Sequence, residues 1–163
     1  MLTLRNETPA DIPGIHQIHV LAFGGRTGEA VLVDDLRSEG ESVISMVAVV
    51  DGKIAGHILF SRLDASAPSL SLAPLAVHPD FQRQGIGSAL IAAGLDSARQ
   101  TGWSWVFVLG NPNYYTRFGF DLDVARSFSC PYSGNHFMAI HLGNGPADGS
   151  GPLTYPKAFK KLD

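Results

Sequence analysis

The spacing of apolar residues changes along the first half of the chain from the period of a helix to the alternation of a strand. Glycines and a two-residue Asp-Gly turn mark the points at which it changes. The predicted elements are, in chain order, a short strand at Thr3–Arg5, a helix between the N-cap Thr8 and Gly24-Gly25, a helix from Gly28 to Arg37, and a hairpin of Val43–Val50 and Lys53–Leu63 around Asp51-Gly52.

The second half of the chain predicts a β-α-β unit. A strand at Leu70–Val77 is followed by a helix from near Gly85 to Gln100 and by Trp103–Leu109, a continuous apolar run typical of a strand buried on both faces. The two strands are therefore expected to be parallel. Four further elements are predicted: a short helix at Tyr114–Phe118, a strand after Gly119-Phe120, a strand at Phe137–Leu142, and a C-terminal segment, Tyr155–Phe159, that docks through its aromatic groups.

Composition narrows the class of protein. The chain has 163 residues, of which 45% are hydrophobic and 17% charged, so we expect one α/β domain over residues 1–163 with a flexible Gly/Pro-rich loop at 143–154. The formal net charge of -3 argues against a general nucleic-acid binder. The sequence shows no membrane-spanning run and no signal peptide, and its single cysteine allows no internal disulfide, so a cytoplasmic location is expected.

A glycine-rich turn precedes the helix of the β-α-β unit. Residues 82–88, Gln-Arg-Gln-Gly-Ile-Gly-Ser, place several backbone N–H groups at a helix start, where they lack intrahelical partners and where phosphates bind. Leu90 stands where a dinucleotide-binding fingerprint has its third glycine, and no Gly-Lys-Ser/Thr is present. The turn therefore predicts a phosphate site that is neither a Rossmann site nor a P-loop.

Two motifs in register resemble those of the GCN5-related N-acetyltransferase (GNAT) superfamily. The first is Gln-x-x-Gly-x-Gly at residues 82–87, preceded by Val-x-Pro at 77–79, and the second is Tyr-x-x-x-Gly-Phe at 115–120. The order of predicted elements also agrees over nearly the whole chain. The resemblance implies a central, mostly antiparallel sheet that contains one splayed parallel strand pair and is flanked by helices.

The resemblance implies acetyl-CoA as the co-substrate. Its pyrophosphate is expected on the glycine-rich turn, and its pantetheine arm beside the strand that ends at Val77. Pro74 lies in that strand and supplies no ladder donor, so we expect a break in pairing that frees the backbone groups of Leu75 and Val77. The predicted cofactor-binding residues are Leu75, Ala76, Val77, Gln82, Arg83, Gln84, Gly85, Ile86, Gly87, Ser88, Asn111 and Tyr115.

Catalytic roles are implied for two of these residues. Tyr115 matches the general acid of the family, and a backbone N–H near Leu75 is expected to polarise the thioester carbonyl as an oxyanion hole does. A phenol of pKa about 10 is a weak acid for a thiolate of pKa about 8.5, so this role needs a lowered tyrosine pKa or a desolvated thiolate. The adjacent Tyr114 is interpreted as core packing.

The general base is left open, because the strand Ser69–Val77 lacks the acid that many relatives carry. Glu29, on the second predicted helix, is a candidate at the acceptor groove, although a solvated carboxylate on a helix face is the simpler interpretation. His57 is more simply a hydrogen-bonded core residue, and an amine of low pKa needs no side-chain base. A covalent route through Cys130 is disfavoured, because no basic residue flanks it.

The leading hypothesis is an N-acyltransferase that transfers acetyl from acetyl-CoA to a primary amine by direct attack. A non-catalytic acyl-CoA sensor and an enzyme that acylates a protein N-terminus or lysine are the alternatives. A closed pocket around Phe23, Glu29 and Tyr132 favours a small-molecule amine over a peptide. His16 and His19 lack a third ligand, so no metal is predicted. The protein is expected to be a monomer or a homodimer, with no nucleic-acid or membrane partner.

Overall fold

The computed structural model describes residues 1–162 as a six-stranded sheet flanked by helices, with a separate two-stranded sheet. The strands are β1 (Leu2–Asn6), β2 (Ser42–Val50), β3 (Lys53–Leu63), β4 (Ser69–Val77), β5 (Trp105–Leu109), β6 (Phe128–Ser129), β7 (Phe137–His141) and β8 (Gly151–Pro152). The α-helices are α1 (Ile12–Ala22), α2 (Gly28–Ser38), α3 (Ile86–Gln100), α4 (Pro112–Tyr115) and α5 (Leu122–Ala125), and 3-10 turns lie at Pro9–Asp11, Pro79–Phe81, Thr116–Phe118 and Lys157–Lys161. Within residues 1–162, no helix combines the length and apolarity that a membrane crossing requires.

The strands of the large sheet lie in the order β1-β2-β3-β4-β5-β7. Within this sheet β4 and β5 are parallel, and the other neighbouring pairs are antiparallel. The helix α3 connects the two parallel strands, as the β-α-β pattern predicts. The predicted fold class, a mixed α/β sheet with one parallel strand pair, is therefore confirmed, and so is the predicted hairpin of β2 and β3.

Different parts of the chain cover the two faces of the sheet. On one face, α3 packs Leu90 into a core cluster that also contains Phe60 of β3. On the other face, α1 and α2 contribute Ile15 and Leu36 to a second cluster, which Phe159 of the C-terminal segment completes. The predicted docking of that segment is confirmed. Because it packs beside α2, the C-terminus forms part of the wall around the end of β4.

β4 and β5 separate after three residue pairs, the last of which joins Ser71 to Phe107. Ala73 and Pro74 then form a bulge in the pairing between β4 and β3. A proline at this position supplies no N–H to either neighbouring strand. The interruption expected at Pro74 is confirmed, and the separation from β5 begins earlier, at Leu72.

The backbone groups of Leu75 and Val77 face the gap between β4 and β5. The N–H of His78 donates to the carbonyl of Ala55 at 2.8 Å, and hydrogen bonds in an antiparallel pair engage alternate residues of each strand. Ala76 therefore bonds to β3, whereas the N–H and C=O groups of Leu75 and Val77 point away from β3. The stretch Leu75–Val77 is termed the open edge of β4.

The prediction of a strand directly after Gly119-Phe120 is wrong, because the chain forms the short helix α5 there. The side chain of Asp121 caps this helix: its Oδ1 accepts from the N–H of Asp123 at 2.7 Å and from that of Val124 at 3.2 Å. These bonds satisfy amides that a strand would leave to a neighbour. The cap therefore favours a helical turn over an extended segment.

The segment 143–154, predicted to be a flexible loop, makes several ordered contacts. β8 lies within it and pairs with β6, and Leu153 is buried. Thr154 exchanges two backbone hydrogen bonds with Asp64, at 3.0 and 2.9 Å. The side-chain amide of Asn144 donates to two backbone carbonyls at the end of α3 and in the following loop. These contacts bring the chain to the point where the C-terminal segment docks.

Candidate active site

The helix α3 begins with a left-handed glycine and with free backbone amides. Gly85 has a φ of +80°, a conformation in which any side chain is strained. The first intrahelical hydrogen bond runs from the N–H of Ala89 to the carbonyl of Gly85, at 3.0 Å. The N–H groups of Ile86, Gly87 and Ser88 precede that bond and have no acceptor within the helix. Free amides at a helix start, together with the helix dipole, are chemically suited to an anion.

A cleft of about 540 Å³ lies between this helix start and the open edge of β4, and is termed the α3 cleft. Nine of the twelve predicted cofactor-binding residues line it: Leu75, Ala76, Val77, Gln82, Arg83, Gly85, Ile86, Gly87 and Ser88. The remaining lining residues are Ala22, Phe23, Tyr114 and Arg117. The structure therefore brings together the predicted strand end and the predicted glycine-rich turn.

Two arginines and one glutamine shape the rim of the α3 cleft. Arg83 and Arg117 supply two guanidinium groups, and that of Arg117 stacks 4.6 Å from the centre of the Tyr114 ring. The Nε2 of Gln82 donates to the carbonyl of Val77 at 3.1 Å, which ties the turn to the end of β4. Arg117 was not among the predicted site residues, because it occupies an unspecified position of the second motif.

The other three predicted residues, Gln84, Asn111 and Tyr115, lie outside the lining of the α3 cleft. Gln84 is exposed in the glycine-rich turn. The Oδ1 of Asn111 accepts from the N–H of Asn113 at 3.0 Å and so caps α4. In this structure Asn111 therefore fixes the short helix that carries the two tyrosines.

The adjacent tyrosines of α4 occupy different places. Tyr114 lines the α3 cleft with its Oη 3.4 Å from the Oγ of Ser88, so its interpretation as core packing missed a cleft residue. The ring of Tyr115 packs against Phe120 and lies so close to Gly110 that a Cβ there would meet it at 2.5 Å. Burial, and secondarily Tyr114, raises the pKa of Tyr115 to about 12. The hydroxyl of Tyr115 therefore stays protonated throughout the neutral range.

A second cavity, of about 380 Å³, lies along the first part of the unpaired stretch of β4 and is termed the Glu29 cavity. Its lining residues are Glu29, Ser71, Leu72, Ala73, Leu109, Tyr132, Tyr155, Phe159 and Leu162. Glu29 belongs to the first turn of α2 and is the one carboxylate among them. Of the three residues expected around an acceptor pocket, Glu29 and Tyr132 meet here, whereas Phe23 lines the α3 cleft.

Comparison with known proteins assigns the family. Residues 12–120 match the model of the Acetyltransferase (GNAT) family. The chain belongs to this family. The match includes both sequence motifs and every residue that lines the α3 cleft. The predicted GNAT membership is thus confirmed.

The chain is 34% identical to a protein of Escherichia coli (strain K12) named Uncharacterized N-acetyltransferase YhbS, over 168 aligned positions that cover 99% of this chain and 100% of the relative. It resembles the crystal structure of Escherichia coli YhbS in complex with CoA, with a TM-score of 0.89 and 32% identity, covering 99% of this chain and 93% of that one. A GNAT acetyltransferase from Brucella melitensis in complex with acetyl-CoA gives a TM-score of 0.83 and 32% identity, with 98% of both chains covered. The predicted enzyme class, N-acetyltransferase, agrees with these relatives.

This GNAT chain contains a buried chain of hydrogen bonds between α1 and the sheet. The Nε2 of His19 lies 2.8 Å from the Nδ1 of His57, and the Nε2 of His57 lies 2.7 Å from the Oγ of Ser45. The hydroxyl of Ser45 in turn bonds to Glu7. Both imidazoles are fully buried, and His57 lies opposite Ala76 of the open edge. Both ring nitrogens of His57 have hydrogen-bond partners. His57 is therefore a hydrogen-bonded core residue, as the simpler interpretation of the sequence predicts.

The carboxylate of Glu7 sets the direction of the protons along this chain. Burial opposes its ionisation, but hydrogen bonding to His57, Arg37 and Ser45 outweighs burial and lowers the pKa of this carboxyl to about 2. Ser45 therefore donates to the carboxylate, His57 donates to Ser45, and His19 donates to His57. The Nδ1 of His19 then carries a lone pair that has no hydrogen-bond partner. Burial lowers the pKa of His19 to about 3 and also lowers the pKa of His57, so both rings are neutral at pH 7.

The weaker candidates of the sequence have ordinary partners. The Nδ1 of His16 lies 2.8 Å from the Oδ2 of Asp34, so His16 and His19 face different groups. In the part of the chain that the structure describes, residues 1–162, no group of three or more His, Cys, Asp or Glu side chains is arranged to hold a metal ion. The Sγ of Cys130 accepts a hydrogen bond from Ser133 at 3.9 Å.

Proposed function

We propose that this protein is an acyl-CoA-dependent N-acyltransferase that transfers an acetyl group from acetyl-CoA to a primary amine by direct attack. The observation that carries the proposal is the open edge of β4, which shares one cleft with the free amides of α3. A strand edge suits the amides of a pantetheine arm, and a helix start suits a pyrophosphate. The complexes of the two relatives with CoA and acetyl-CoA support this assignment.

The donor is proposed to bind along the whole α3 cleft. The N–H groups of residues 86–88 hold the pyrophosphate, and Arg83 and Arg117 add charge-assisted contacts at the rim. The pantetheine arm pairs with the backbone groups of Leu75 and with the N–H of Val77, which β5 leaves free, whereas the carbonyl of Val77 already accepts from Gln82. Binding of this kind places the thioester near Leu75, at the end of the arm.

The transfer forms one bond and breaks one. The amine nitrogen attacks the thioester carbonyl carbon, and the C–S bond then breaks as the thiolate leaves. The backbone N–H of Leu75 donates to the carbonyl oxygen while negative charge develops there. The nitrogen gives up one proton to a base or to water, the thiolate takes one proton from Tyr115, and Tyr115 recovers a proton from the base or from solvent. The products are an N-acetylated amine and free CoA.

The raised pKa of Tyr115 sets a condition on its role as the general acid. Proton transfer from a phenol of pKa about 12 to a thiolate of pKa about 8.5 is uphill by roughly 5 kcal/mol. We therefore expect the proton to move together with C–S cleavage, in a site where exclusion of water also raises the pKa of the leaving thiol. Glu29 is the candidate base, since its cavity lies along the same strand, and water is the alternative acceptor of the amine proton.

The test measures thiol release from acetyl-CoA with a panel of amines, beside calorimetric titration with acetyl-CoA. We expect saturable binding of acetyl-CoA and amine-dependent release of thiol. Binding without release on any amine or peptide would identify a sensor instead. Release with peptides alone would identify an enzyme that acylates proteins. A variant that cannot bind the donor, Gly87→Glu, gives the background rate.

A further inference from the structure

The Glu29 cavity and the α3 cleft meet along β4. Residues 71–73 line the cavity, residues 75–77 line the cleft, and Pro74 lies between the two stretches. Only Pro74 separates Ala73, which lines the cavity, from Leu75, which lines the cleft. A nitrogen at the near end of the cavity is therefore within reach of a carbonyl held at Leu75. The cavity occupies the place that an acceptor needs.

The surface of the Glu29 cavity is mainly apolar and aromatic. The rings of Tyr132 and Tyr155 pack edge to face with their centres 4.8 Å apart, and those of Tyr155 and Phe159 pack in the same way at 5.1 Å. Leu109, at the end of β5, is 53% exposed. An apolar ligand in the cavity covers this leucine and the aromatic faces, and such burial is favourable. The lining thus favours a ligand with an apolar body.

Charge then selects among apolar ligands. Glu29 is the one acidic residue in the lining, and none of the described residues that line the cavity is a Lys, Arg or His. A primary amine arrives protonated and pairs with this carboxylate. A ligand that carries its own carboxylate meets repulsion from Glu29 and finds no cation in the lining. The cavity therefore favours an amine without an acidic group.

The size of the cavity limits the length of the ligand. A volume of about 380 Å³ holds roughly a dozen non-hydrogen atoms if each takes the space of one water molecule in the liquid. This matches a short chain with one ring, or an alkyl chain of similar bulk.

We propose that the acceptor is a small primary amine with an aromatic or long alkyl body and no carboxylate. Its ammonium group pairs with Glu29, and its body lies between Tyr132, Tyr155 and Leu109. The proposal rests on the acetyl transfer proposed above and adds the class of acceptor. Before attack, the ammonium loses one proton to water or to Glu29, and the neutral nitrogen then reaches the thioester.

The first experiment compares acceptors that differ in one property at a time. Phenylethylamine has the charge and the body, ethanolamine has the charge alone, and phenylalanine adds a carboxylate to the body. At saturating acetyl-CoA we expect kcat/KM for phenylethylamine to exceed kcat/KM for ethanolamine by roughly 30-fold or more. We expect it to exceed kcat/KM for phenylalanine by at least the same factor. An equal or higher kcat/KM for phenylalanine, or for a lysine-containing peptide, overturns the proposal.

The second experiment separates an ammonium partner from other roles of Glu29. Glu29→Gln is expected to raise KM for phenylethylamine roughly tenfold and to leave KM for acetyl-CoA unchanged. Glu39→Gln, in an exposed position after the end of α2, is the matched control and is expected to change neither constant. If Glu29→Gln lowers kcat, flattens the pH–rate profile and leaves KM unchanged, Glu29 is a base rather than the partner of the ammonium, and this part of the proposal is wrong.

The third experiment probes the apolar wall at an exposed position, where folding does not depend on the side chain. Leu109→Ser is expected to raise KM for phenylethylamine several-fold and to leave KM for ethanolamine unchanged. An equal rise in KM for both amines indicates a general disturbance of the site and contradicts the assignment of Leu109 to the apolar lining of the Glu29 cavity.

The results also distinguish the two proposals. If acetyl-CoA binds and no amine or peptide releases thiol, acetyl transfer and the acceptor class are both overturned. If thiol is released only with acceptors of another class, the enzyme stands and the acceptor class alone is overturned.

Discussion

The α3 cleft and the Glu29 cavity lie on one strand, yet different parts of the chain build them. Every residue that lines the cleft falls within residues 12–120, which match the GNAT family. Four of the nine residues that line the cavity lie beyond this match: Tyr132, Tyr155, Phe159 and Leu162. The proposed donor site thus lies within the part of the chain that matches the family, and the proposed acceptor site takes four of its nine lining residues from the part beyond it.

The two sites also differ in the atoms that they offer. The cleft offers backbone groups, namely the amides of residues 86–88 and the open edge of β4, and among these the left-handed conformation of Gly85 is the one that favours glycine. The cavity offers side chains, namely one carboxylate and a set of rings. A backbone site tolerates change in most of its residues, whereas a side-chain site changes its ligand with each substitution. Donor recognition is therefore the more constant property, and acceptor recognition the more variable one.

The largest expected effect comes from a substitution that disturbs donor binding in the α3 cleft and leaves the Glu29 cavity unchanged. Gly87→Glu places a carboxylate where the pyrophosphate is proposed to lie, and like charges about 4 Å apart at a protein surface repel by roughly 4 kcal/mol. We expect the affinity for acetyl-CoA, measured by calorimetry, to fall by roughly 100- to 1000-fold while the melting temperature stays within a few degrees. Gly87→Ala is the matched control: the nearest atom to its Cβ is the Oη of Tyr114 at 3.1 Å, the contacts with Val77 and Leu75 are ordinary at 3.6 and 3.8 Å, and the affinity is expected to fall a few-fold. Affinity retained in Gly87→Glu contradicts the pyrophosphate site.

The next effect separates the roles of the two adjacent tyrosines of α4, of which Tyr114 lines the α3 cleft. Tyr115→Phe removes the proposed acid and is expected to lower kcat roughly 100-fold, with the dissociation constant of acetyl-CoA changed less than twofold. Tyr114→Phe removes a hydroxyl that lies in the α3 cleft beside Ser88, so it is expected to weaken acetyl-CoA binding a few-fold without lowering kcat. Steady-state rates and calorimetry on both variants check this division. An unchanged kcat in Tyr115→Phe rules out the acid role.

A third effect concerns the buried hydrogen-bond chain, in which His57 lies opposite Ala76 of the open edge. The pKa of His19 falls from about 6.5 in the unfolded chain to about 3 in the folded protein, so between these values the unfolded state binds more protons. Stability is therefore full above pH 6.5 and declines as the pH falls, by an amount on the order of 2 kcal/mol at pH 4.5. Glu7, with a pKa of about 2, keeps its contribution until the pH falls below about 4.5.

Urea unfolding between pH 7 and pH 4.5 measures this decline. His19→Gln is expected to flatten it, and His136→Gln, at an exposed position, is expected to leave it unchanged. A wild-type stability that is independent of pH over this range contradicts the neutral, buried state of the histidines.

The smallest effect tests the charges at the rim of the donor side. Arg117→Gln removes one guanidinium from the α3 cleft and is expected to weaken acetyl-CoA binding about three- to fivefold at low salt, and less at high salt. Calorimetry at two ionic strengths measures the difference. Arg126→Gln is a control at an exposed position outside the cleft and is expected to have no effect. Weakening that does not depend on salt speaks against a role through charge.

The sequence predicted the features that depend on neighbours along the chain. The glycine-rich turn, the bulge at Pro74 and the place of Tyr115 before Gly119-Phe120 are local patterns, and each has its predicted position in the structure. The helix α5 was missed because the Asp121 cap competes with a strand signal of similar strength. A local pattern therefore predicts whether an element is a helix or a strand only where no competing local pattern is present.

The features that depend on contacts between distant segments could not be predicted from the sequence. Arg117 and Tyr114 reach the α3 cleft only because α4 packs beside the start of α3. Tyr155 and Tyr132 contact each other although 23 residues separate them, and both face Glu29 from the far end of the chain. No spacing in the sequence signals such contacts, because they arise where separate segments dock.

The open edge of β4 also bears on how the protein behaves at high concentration. A sheet ordinarily has two outer edges, and natural proteins protect them because an unpaired strand recruits strands from other molecules. Here the parting of β4 from β5 creates a further edge within the sheet, and its hydrogen-bonding groups are the ones that the donor is proposed to use. On the proposed binding mode the bound donor covers these groups, and the protein without donor leaves this inner edge uncovered in the α3 cleft.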